Sequence, residues 1–411
     1  MRRTVVVGAG LSGLAAGLAS ARRGDETVVL EASDRPGGVV RSERSGGYLL
    51  ELGPNTVRPT PEIFALVREL GLEGEALYAD ARLPRYVDFR GALHAVPTSP
   101  PGLLATRLLT AGGKLRLLAE PLVPARRGGD SEESVRDFVA RRLGPQVAER
   151  LVEPFVGGVF AGSAARLSAA DAFPILAEWE RKHGSLLAGA LAARGARKSA
   201  PAAVPPPPRG LLSFRDGLET LPRALAARLG GSLRLRTPVA SIAPRDGRWV
   251  VAAAGAGLEC DRVILAAPAE RTRALVADFA PQAARALSEM PQPALAVLHL
   301  AWENGALRRP LEGFGHLVAP SGERRILGAV WSSSLFPGRA PAGRVLLTVF
   351  VGGARDPGAA ALLDAELVTL AARDLVAEGL VAGPPEPVRI TRWERAIPQY
   401  ERGHARRLSV L

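Results

Sequence analysis

Three glycines near the start of the chain have the type and spacing that phosphate binding requires. Residues 8–13 form a GxGxxG pattern between a short apolar run, Thr4–Val7, and an Ala- and Leu-rich stretch that reaches about Arg22. This order predicts a strand, a tight turn and a helix whose first N–H groups and positive dipole face a pyrophosphate. The residues expected to meet the phosphates are Gly8, Ala9, Gly10, Leu11, Ser12 and Gly13.

An acidic residue and a glycine pair extend this candidate site. Glu31 directly follows the next predicted strand, Thr27–Leu30, where a carboxylate can accept hydrogen bonds from ribose hydroxyls and repels a 2′-phosphate. The pair Gly37-Gly38 comes shortly afterwards, flanked by Arg35 and Arg41. Because the glycine pair lengthens the site beyond the ribose, the order of these features favours FAD over a nicotinamide dinucleotide. We therefore predict FAD binding, with Gly38 and Arg41 among the contacts.

The other chemistry-bearing residues favour no further kind of site. The 411 residues include one cysteine, Cys260, so no internal disulfide can form. The five histidines are scattered without metal-ligand spacing to that cysteine or to carboxylates, which predicts no metal site. No catalytic dyad or triad is recognisable, and no uncharged apolar run is long enough to span a bilayer.

The net charge of +12 leaves two interpretations open. Lysine occurs only at Lys114, Lys182 and Lys198, so nearly all of the cationic charge is arginine. No nucleic-acid-binding motif accompanies the charge, and aromatic residues make up only 5% of the chain, so we predict no nucleic-acid partner. The charge then indicates either a solvated basic surface or a basic face that meets an anionic membrane.

The predicted elements change in character along the chain. A βαβ unit opens it, and residues from about 85 to 205 hold amphipathic helical stretches, of which Ser131–Leu143 is the clearest. Pro205–Pro208 predicts a surface loop or linker, and strand-like runs mixed with helices follow it. The order predicts an α/β fold, α+β overall, built from more than one domain.

Several longer segments carry a resemblance to a known family. They are 47–55 (GYLLELGPN), 91–97 (GALHAVP), 134–138 (SVRDF), 141–144 (RRLG), 151–162 (LVEPFVGGVFAG), 214–222 (FRDGLETLP), 313–318 (GFGHLV) and 397–400 (IPQY). In this order they resemble the flavoproteins of the amine oxidase and protoporphyrinogen oxidase superfamily, and the match narrows to the protoporphyrinogen oxidase branch. Any one segment alone is weak, whereas the ordered set is specific.

The resemblance implies three structural parts. Residues 1–80 and 210–270 would form a Rossmann-like FAD-binding domain of the amine oxidase type. Residues 81–90 and 271–411 would form a mixed-sheet substrate-binding domain, and 91–209 a helical domain that associates with a membrane. Family members continue beyond the position of Leu411 with a segment that closes on the flavin. On that basis the expectation for this chain is weak FAD retention and low activity.

The resemblance also assigns site residues position by position. The expected FAD contacts beyond the glycine motifs and Glu31 are Ala32, Val39, Gly53, Pro54, Asn55, Thr56 and Val239. Arg85 matches a propionate-binding arginine, and Phe314 and Leu317 match side chains that sandwich the macrocycle. Asn55 stands where some members have arginine, so no catalytic role is expected for it.

The implied activity is the FAD-dependent oxidation of protoporphyrinogen IX to protoporphyrin IX, with dioxygen as acceptor. Coproporphyrinogen III oxidation, another flavin amine oxidase or desaturase activity, and a non-catalytic porphyrin-binding product remain alternatives. The family implies a homodimer and a cytoplasmic protein lying peripherally on the inner face of the cell membrane.

Leucine and cationic residues alternate in the middle region. At helical spacing this pattern predicts an interfacial helix, and the alternative is a helix packed against its own protein. The residues concerned are Leu103, Leu104, Arg107, Leu108, Leu109, Lys114, Leu115, Arg116, Leu117, Leu118, Arg126 and Arg127.

Overall fold

The computed structural model describes residues 1–126, 132–199, 207–320 and 322–411, in which strands and helices are mixed along the chain. The strands are β1 Arg3–Val7, β2 Glu26–Leu30, β3 Ser42–Ser45, β4 Tyr48–Glu51, β5 Ala76–Tyr78, β6 Arg85–Phe89, β7 Ala92–Ala95, β8 Leu212–Phe214, β9 Leu233–Arg234, β10 Val239–Arg245, β11 Arg248–Ala253, β12 Ala256–Cys260, β13 Arg262–Leu265, β14 Leu295–Glu303, β15 Gly315–Val318, β16 Ile326–Val330, β17 Arg344–Gly352 and β18 Glu386–Trp393.

The helices concentrate between β7 and β8. They are α1 Leu11–Arg22, α2 Pro61–Glu69, α3 Pro100–Ala105, α4 Ala111–Leu118, α5 Val135–Leu143, α6 Pro145–Val147, α7 Glu153–Phe160, α8 Ala169–Ala172, α9 Pro174–His183, α10 Leu186–Ser199, α11 Thr220–Leu229, α12 Ala269–Val276, α13 Pro281–Ser288, α14 Ser332–Leu335, α15 Asp364–Ala377 and α16 His404–Leu408. None of those helices, as far as the described residues show, has the length and apolar character needed to cross a bilayer.

A four-stranded parallel sheet in the order β13-β1-β2-β9 carries the predicted βαβ unit. Its central strands are apolar on both faces, as expected of buried parallel strands, and Val5 and Val6 are fully buried. Helix α1 packs against it at Gly17, where a Cβ would lie only 2.6 Å from a methyl of Val29. The sheet therefore directs the carboxyl ends of β1 and β2 toward one edge, where ligands bind in such folds.

A three-stranded antiparallel sheet, β10-β11-β12, lies beside the parallel sheet. Leu275 of α12 and the following Phe279 belong to the same apolar cluster as Val251 and Trp249 of this sheet. The predicted domain boundary at residue 270 therefore falls inside α12, whose Leu275 packs against the sheet β10–β12 of the first unit. The physical reason is burial, since α12 covers the apolar face of β10–β12.

The largest sheet has seven strands in the order β18-β14-β17-β16-β15-β6-β7. Only β15 and β6 pair in parallel, and every other pair is antiparallel. Its edge strand β7 pairs with β6, so the sheet extends past the boundary predicted at residue 91. Alternate residues of β14 divide between two faces, because Ala296 and Leu298 belong to the cluster beneath α15 whereas Leu295 and Val297 face the other way.

Buried ion pairs as well as apolar contacts hold the helical region together. Arg142 of α5 is fully buried and pairs with Glu120, whose carboxylate also accepts hydrogen bonds from Ser185 Oγ and the Leu186 N–H. The predicted helix Ser131–Leu143 begins later than expected, at Val135. Ser134 caps it by accepting the Asp137 N–H at 3.1 Å, a common N-cap arrangement. Ser131, Arg127 and part of the predicted linker Pro205–Pro208 lie outside the described residues.

Candidate functional site

The glycine turn after β1 has the geometry expected of a phosphate-binding loop. A Cβ on Gly13 would overlap the carbonyl oxygen of Gly8, so glycine lets α1 begin directly against the turn. A Cβ on Gly10 would meet nothing within 4 Å, so this glycine borders open space in front of the helix start. The first N–H groups of α1 therefore face a space that a pyrophosphate can enter.

Glu31 lies beside the same turn. One carboxylate oxygen accepts the Ala9 N–H at 2.7 Å, and the other accepts the Ser33 N–H at 2.9 Å. The Glu31 carbonyl accepts the Thr237 N–H at 2.7 Å, which holds the segment leading to Val239 next to it. The structure thus brings together the glycine turn, Glu31 and the start of β10, three parts of the predicted FAD site. Ala32 is exposed at this edge.

The glycine pair packs directly onto the glycine turn. The Gly37 N–H donates to the Ala9 carbonyl at 2.8 Å, and a Cβ on Gly38 would lie 3.1 Å from the Gly10 Cα. Arg35 holds this loop from within, because its guanidinium donates to the Gly38 carbonyl at 2.7 Å. Arg41 instead pairs with Glu43 at 3.4 Å and does not line the cavity described next. The glycine pair Gly37-Gly38 therefore extends the surface that begins at the phosphate-binding turn.

Beyond the glycine pair lies an apolar cavity of about 450 Å³, between the loop 53–56, α7 and the seven-stranded sheet. No charged side chain lines it in the described part of the chain. Its lining residues are Val39, Gly53, Pro54, Asn55, Thr56, Gly158, Val159, Ala161, Leu295, Val297, Phe314, Leu327, Val330, Phe350, Trp393, Ala396 and Ile397. The cavity can enclose a flat apolar ring system and keep it from water.

Close packing fixes the loop that forms one wall of the cavity. A Cβ on Gly53 would overlap the Val39 carbonyl oxygen, so the loop 53–56 lies directly against the end of the glycine-pair loop. Trp393 of β18 donates its indole N–H to the Leu52 carbonyl at 3.0 Å. Gln399 ties α7 to the opposite wall by donating to the carbonyls of Phe160 and Ile397 at 2.7 and 2.8 Å.

The predicted substrate residues divide between two places. The guanidinium of Arg85 lies over the Phe314 ring, 5.0 Å from its centre, and Phe314 lines the cavity. Leu317 does not line it, and a Cβ on Gly158 of α7 would overlap the Leu317 side chain. The cavity wall therefore contains Phe314 and not Leu317, and the sandwich of the macrocycle by the two residues stays a prediction. Residues three apart along an extended chain face opposite sides, which explains the separation.

A buried carboxyl and a buried imidazole lie behind the loop 53–56. Burial raises the pKa of Glu51 to about 7, although the Arg339 guanidinium lies 3.2 Å from its carboxylate. Burial lowers the pKa of His299 to about 4, so this ring is neutral near pH 7 and its Nε2–H donates to the Glu51 carbonyl at 3.1 Å. Sequence reasoning assigned neither residue a role.

The residues present fit FAD. The open space at Gly10, the contact between Gly38 and Gly10, and the half-exposed Val39 leading into the cavity form one continuous surface. Such a surface suits an extended ligand with phosphates at one end and an apolar ring at the other. No group of three or more His, Cys, Asp or Glu side chains suited to a metal occurs in the described ranges.

Several cavity residues were missed at the level of sequence. Gly158, Val159 and Ala161 come from a segment that carried the family resemblance, yet no site role followed from it. Leu295, Val297, Leu327 and Phe350 come from largely buried strands, whose apolar sequence does not say what each face covers. Trp393 had no sequence signal.

Several leucines of the helical region are exposed. Leu115 and Leu118 of α4 are 68% and 62% exposed, and Leu122 is 85% exposed. Leu108 and Leu109, by contrast, are buried. The alternating pattern in this region therefore contains both packed and exposed leucines. Phe155 and Val159 on α7 are also exposed, and Val159 lines the cavity.

Comparisons with known proteins agree with this geometry. The family model described as flavin containing amine oxidoreductase matches residues 11–410. The chain is 34% identical to protoporphyrinogen oxidase 1, chloroplastic, of Arabidopsis thaliana, covering 97% of this chain and 79% of that protein. It is 37% identical to protoporphyrinogen oxidase of Homo sapiens, covering 99% and 90%. A crystal structure from Exiguobacterium sp. 255-15, provisionally named a protoporphyrinogen oxidase, superimposes with a TM-score of 0.79 at 26% identity, covering 99% and 90%.

Proposed function

The chain belongs to the flavin-containing amine oxidoreductase family, and from this premise we propose that it oxidises protoporphyrinogen IX to protoporphyrin IX. FAD is the cofactor, and dioxygen is the proposed final acceptor. The observation that carries the substrate assignment is the uncharged cavity that joins the loop 53–56 to Phe314, with Arg85 against that ring. A tetrapyrrole with an apolar ring and peripheral carboxylates matches that combination.

The protein's own residues would bind and orient the two ligands. The glycine turn and Glu31 would hold the phosphates and ribose of FAD, and the loop 53–56 would lie against its ring. When bound, the flavin supplies a hydride acceptor whose electrons pass on to dioxygen. The apolar walls would exclude water, and Arg85, whose guanidinium lies over the Phe314 ring, would pair with a propionate carboxylate.

The decisive experiment compares reduced substrates on the FAD-loaded protein. Protoporphyrinogen IX, coproporphyrinogen III and a panel of amines are supplied separately, and porphyrin fluorescence, flavin bleaching and oxygen uptake are recorded. We expect protoporphyrinogen IX to give the highest kcat/KM. Preferential oxidation of coproporphyrinogen III would reassign the substrate within the porphyrinogen class. Oxidation of amines without porphyrinogen turnover would overturn the proposal.

We also propose that the protein lies peripherally on the cytoplasmic face of the cell membrane. The exposed leucines Leu115, Leu118 and Leu122, the exposed apolar residues of α7 and the net charge of +12 support it. Co-sedimentation with vesicles of phosphatidylglycerol and phosphatidylcholine should exceed that with phosphatidylcholine alone. The double variant Leu115→Gln/Leu118→Gln should reduce binding, whereas equal binding by variant and wild type would contradict the proposal.

A further inference from the structure

A small side chamber lies next to the main cavity. Glu51, Ser332 and Arg339 line it, and it shares the walls Asn55 and Val330 with the main cavity. Its volume of about 10 Å³ is close to the space that a single water needs. The two spaces are therefore back to back, with a polar side chain, Asn55, between them.

The Glu51 side chain lines this chamber, and hydrogen bonds hold its carboxylate in place. One carboxylate oxygen accepts the Ser42 hydroxyl at 2.6 Å, and the other accepts the Leu218 N–H at 2.9 Å and lies 3.2 Å from Arg339. The Glu51 side chain is only 5% exposed and that of Arg339 only 3%. Burial raises the pKa of Glu51 to about 7, so its carboxyl can both accept and release a proton at neutral pH.

The charged groups around Glu51 are few. Arg339 favours the ionised form of Glu51, and Glu219 opposes it. Arg44 faces Arg339, while Arg35 and Arg223 lie within 4 Å of Glu219. His299 touches the Glu51 carbonyl and is neutral, because burial lowers its pKa to about 4. Glu51 is therefore the group in this cluster whose protonation changes near pH 7.

We propose that Glu51 takes up the proton that each dehydrogenation step releases from the substrate. The proton would reach the Glu51 carboxylate through a water in the side chamber. The inference rests on the proposed function. Glu51 would exchange this proton through the water and would not touch the substrate, so it is a positioning residue and not a catalytic residue.

The step balances in atoms and electrons. Each step removes one hydride and one proton from the substrate. The hydride would come from a meso C–H bond and go to the bound flavin, and the proton would come from a pyrrole N–H whose electron pair stays in the macrocycle as a new π bond. Over the three steps one further meso hydrogen moves to a pyrrole nitrogen by tautomerisation, so the substrate loses four meso hydrogens and two N–H hydrogens in all. The proton released in each step would pass to the Glu51 carboxylate. Reduction of dioxygen to hydrogen peroxide then uses the two electrons and the proton of the hydride, together with the proton that Glu51 returns.

The first test reads the Glu51 carboxyl without any turnover. Infrared titration of the FAD-loaded protein should show a carboxylic acid band with a midpoint near pH 7 that Glu51→Gln abolishes. Ser42→Ala removes a hydrogen bond that favours the ionised form, so it should raise this midpoint by about one pH unit. A band absent from the wild type, or one that both variants leave unchanged, would overturn the inference.

The second test follows anaerobic flavin reduction by protoporphyrinogen IX as a function of pH. The wild-type rate should rise with an inflection near pH 7, and Ser42→Ala should move that inflection upward together with the infrared midpoint. Glu51→Gln should be roughly tenfold slower above the inflection and should lose it. Glu51→Asp keeps a titrating carboxyl and should retain an inflection, which separates proton uptake from a folding defect in Glu51→Gln.

Glu120→Gln is the matched control, because Glu120 is another buried glutamate paired with a buried arginine and it lies in the helical region. It should lower stability without moving the inflection. If the wild type is active and Glu51→Gln keeps both the rate and the inflection, this inference is wrong and the proposed function still stands. A wild type that fails to oxidise any porphyrinogen overturns the proposed function, and this inference with it.

Discussion

The phosphate end of the site and the cavity end are built in different ways. At the phosphate end, backbone atoms of residues 8–13 and 37–38 approach so closely that a Cβ would overlap or crowd the opposing chain. At the cavity end, side chains from the loop 53–56, α7 and five strands or strand ends contribute an apolar lining. Backbone contact demands glycine at particular positions, whereas an apolar wall can be made from many residues. The first therefore leaves a local sequence signal and the second does not.

The strongest test of this difference is Gly13→Ala. Its Cβ would overlap the Gly8 carbonyl oxygen, so α1 must move away from the turn and the phosphate site should open. We expect the purified variant to lose bound FAD, measured as the ratio of flavin to protein absorbance. Gly231→Ala is the control, because a Cβ there meets nothing within 4 Å. Equal flavin content in the two variants would show that the close approach at Gly13 is dispensable.

The free energy of unfolding should depend on pH through His299, which lies behind the loop 53–56. Its pKa is lowered from 6.5 to about 4 by burial, so the folded state binds fewer protons than the unfolded state between these values. The contribution to stability is complete above pH 6.5 and is lost as the pH falls through about 4. The contribution of His299 to the free energy of unfolding should therefore fall by about 3 kcal/mol across this window, while the raised pKa of Glu51 acts in the opposite direction between about pH 7 and 4.5.

Urea unfolding at several pH values measures the His299 contribution. His299→Gln keeps a donor toward the Glu51 carbonyl but cannot titrate, so its pH dependence between 6.5 and 4 should be flatter. A parallel pH dependence in wild type and variant would assign the acid loss to other groups.

Arg85→Ala tests the cavity end. The guanidinium lies over Phe314, and its removal should raise KM for protoporphyrinogen IX roughly tenfold while flavin content stays unchanged. Arg82→Ala is a matched control, because Arg82 is a strongly exposed arginine of the same segment paired with Asp80. An equal KM in both variants would remove Arg85 from the substrate site.

The smallest expected effects are those of substitutions at Phe314 and Leu317, which should change KM and the free energy of unfolding differently. Phe314→Ala enlarges the cavity and should raise KM several-fold. Leu317→Ala instead removes packing against α7 and should lower the free energy of unfolding by about 2 kcal/mol with little change in KM. Steady-state kinetics together with urea unfolding distinguishes the two. A larger KM change in Leu317→Ala would restore the sandwich that the resemblance implied.

Much of the phosphate end could be predicted because local rules determine it. A strand followed by GxGxxG and a helix specifies where the backbone turns, and Glu31 follows the next strand in the expected place. The pairing of Gly37-Gly38 with the glycine turn could be inferred only as an extension of the site. The side-chain direction of Arg41, toward Glu43, had no signal in the sequence.

The cavity end was predicted only where a resemblance supplied it, and Leu317, one of the residues that it supplied, does not line the cavity. Its walls join residues far apart in the chain, such as Val39, Gly158 and Trp393. The nearly continuous apolar run of β14 indicates two buried faces, but it cannot say which face covers a helix and which faces a ligand. Residue order alone also does not say which sheet α12 packs against, because its partners Val251 and Trp249 are contacts between separate elements.

The sequence by itself determined the glycine turn, the acidic residue after β2 and the family, because each depends on residues that are close in the chain or in a fixed order. Only the tertiary structure decided that Phe314 meets Arg85, that Trp393 closes the wall beside Gly53, and that Glu51 is buried behind Asn55 with a pKa near 7. Such contacts depend on how separate sheets and helices pack. Desolvation in particular is a property of the assembled interior and leaves no local pattern in the chain.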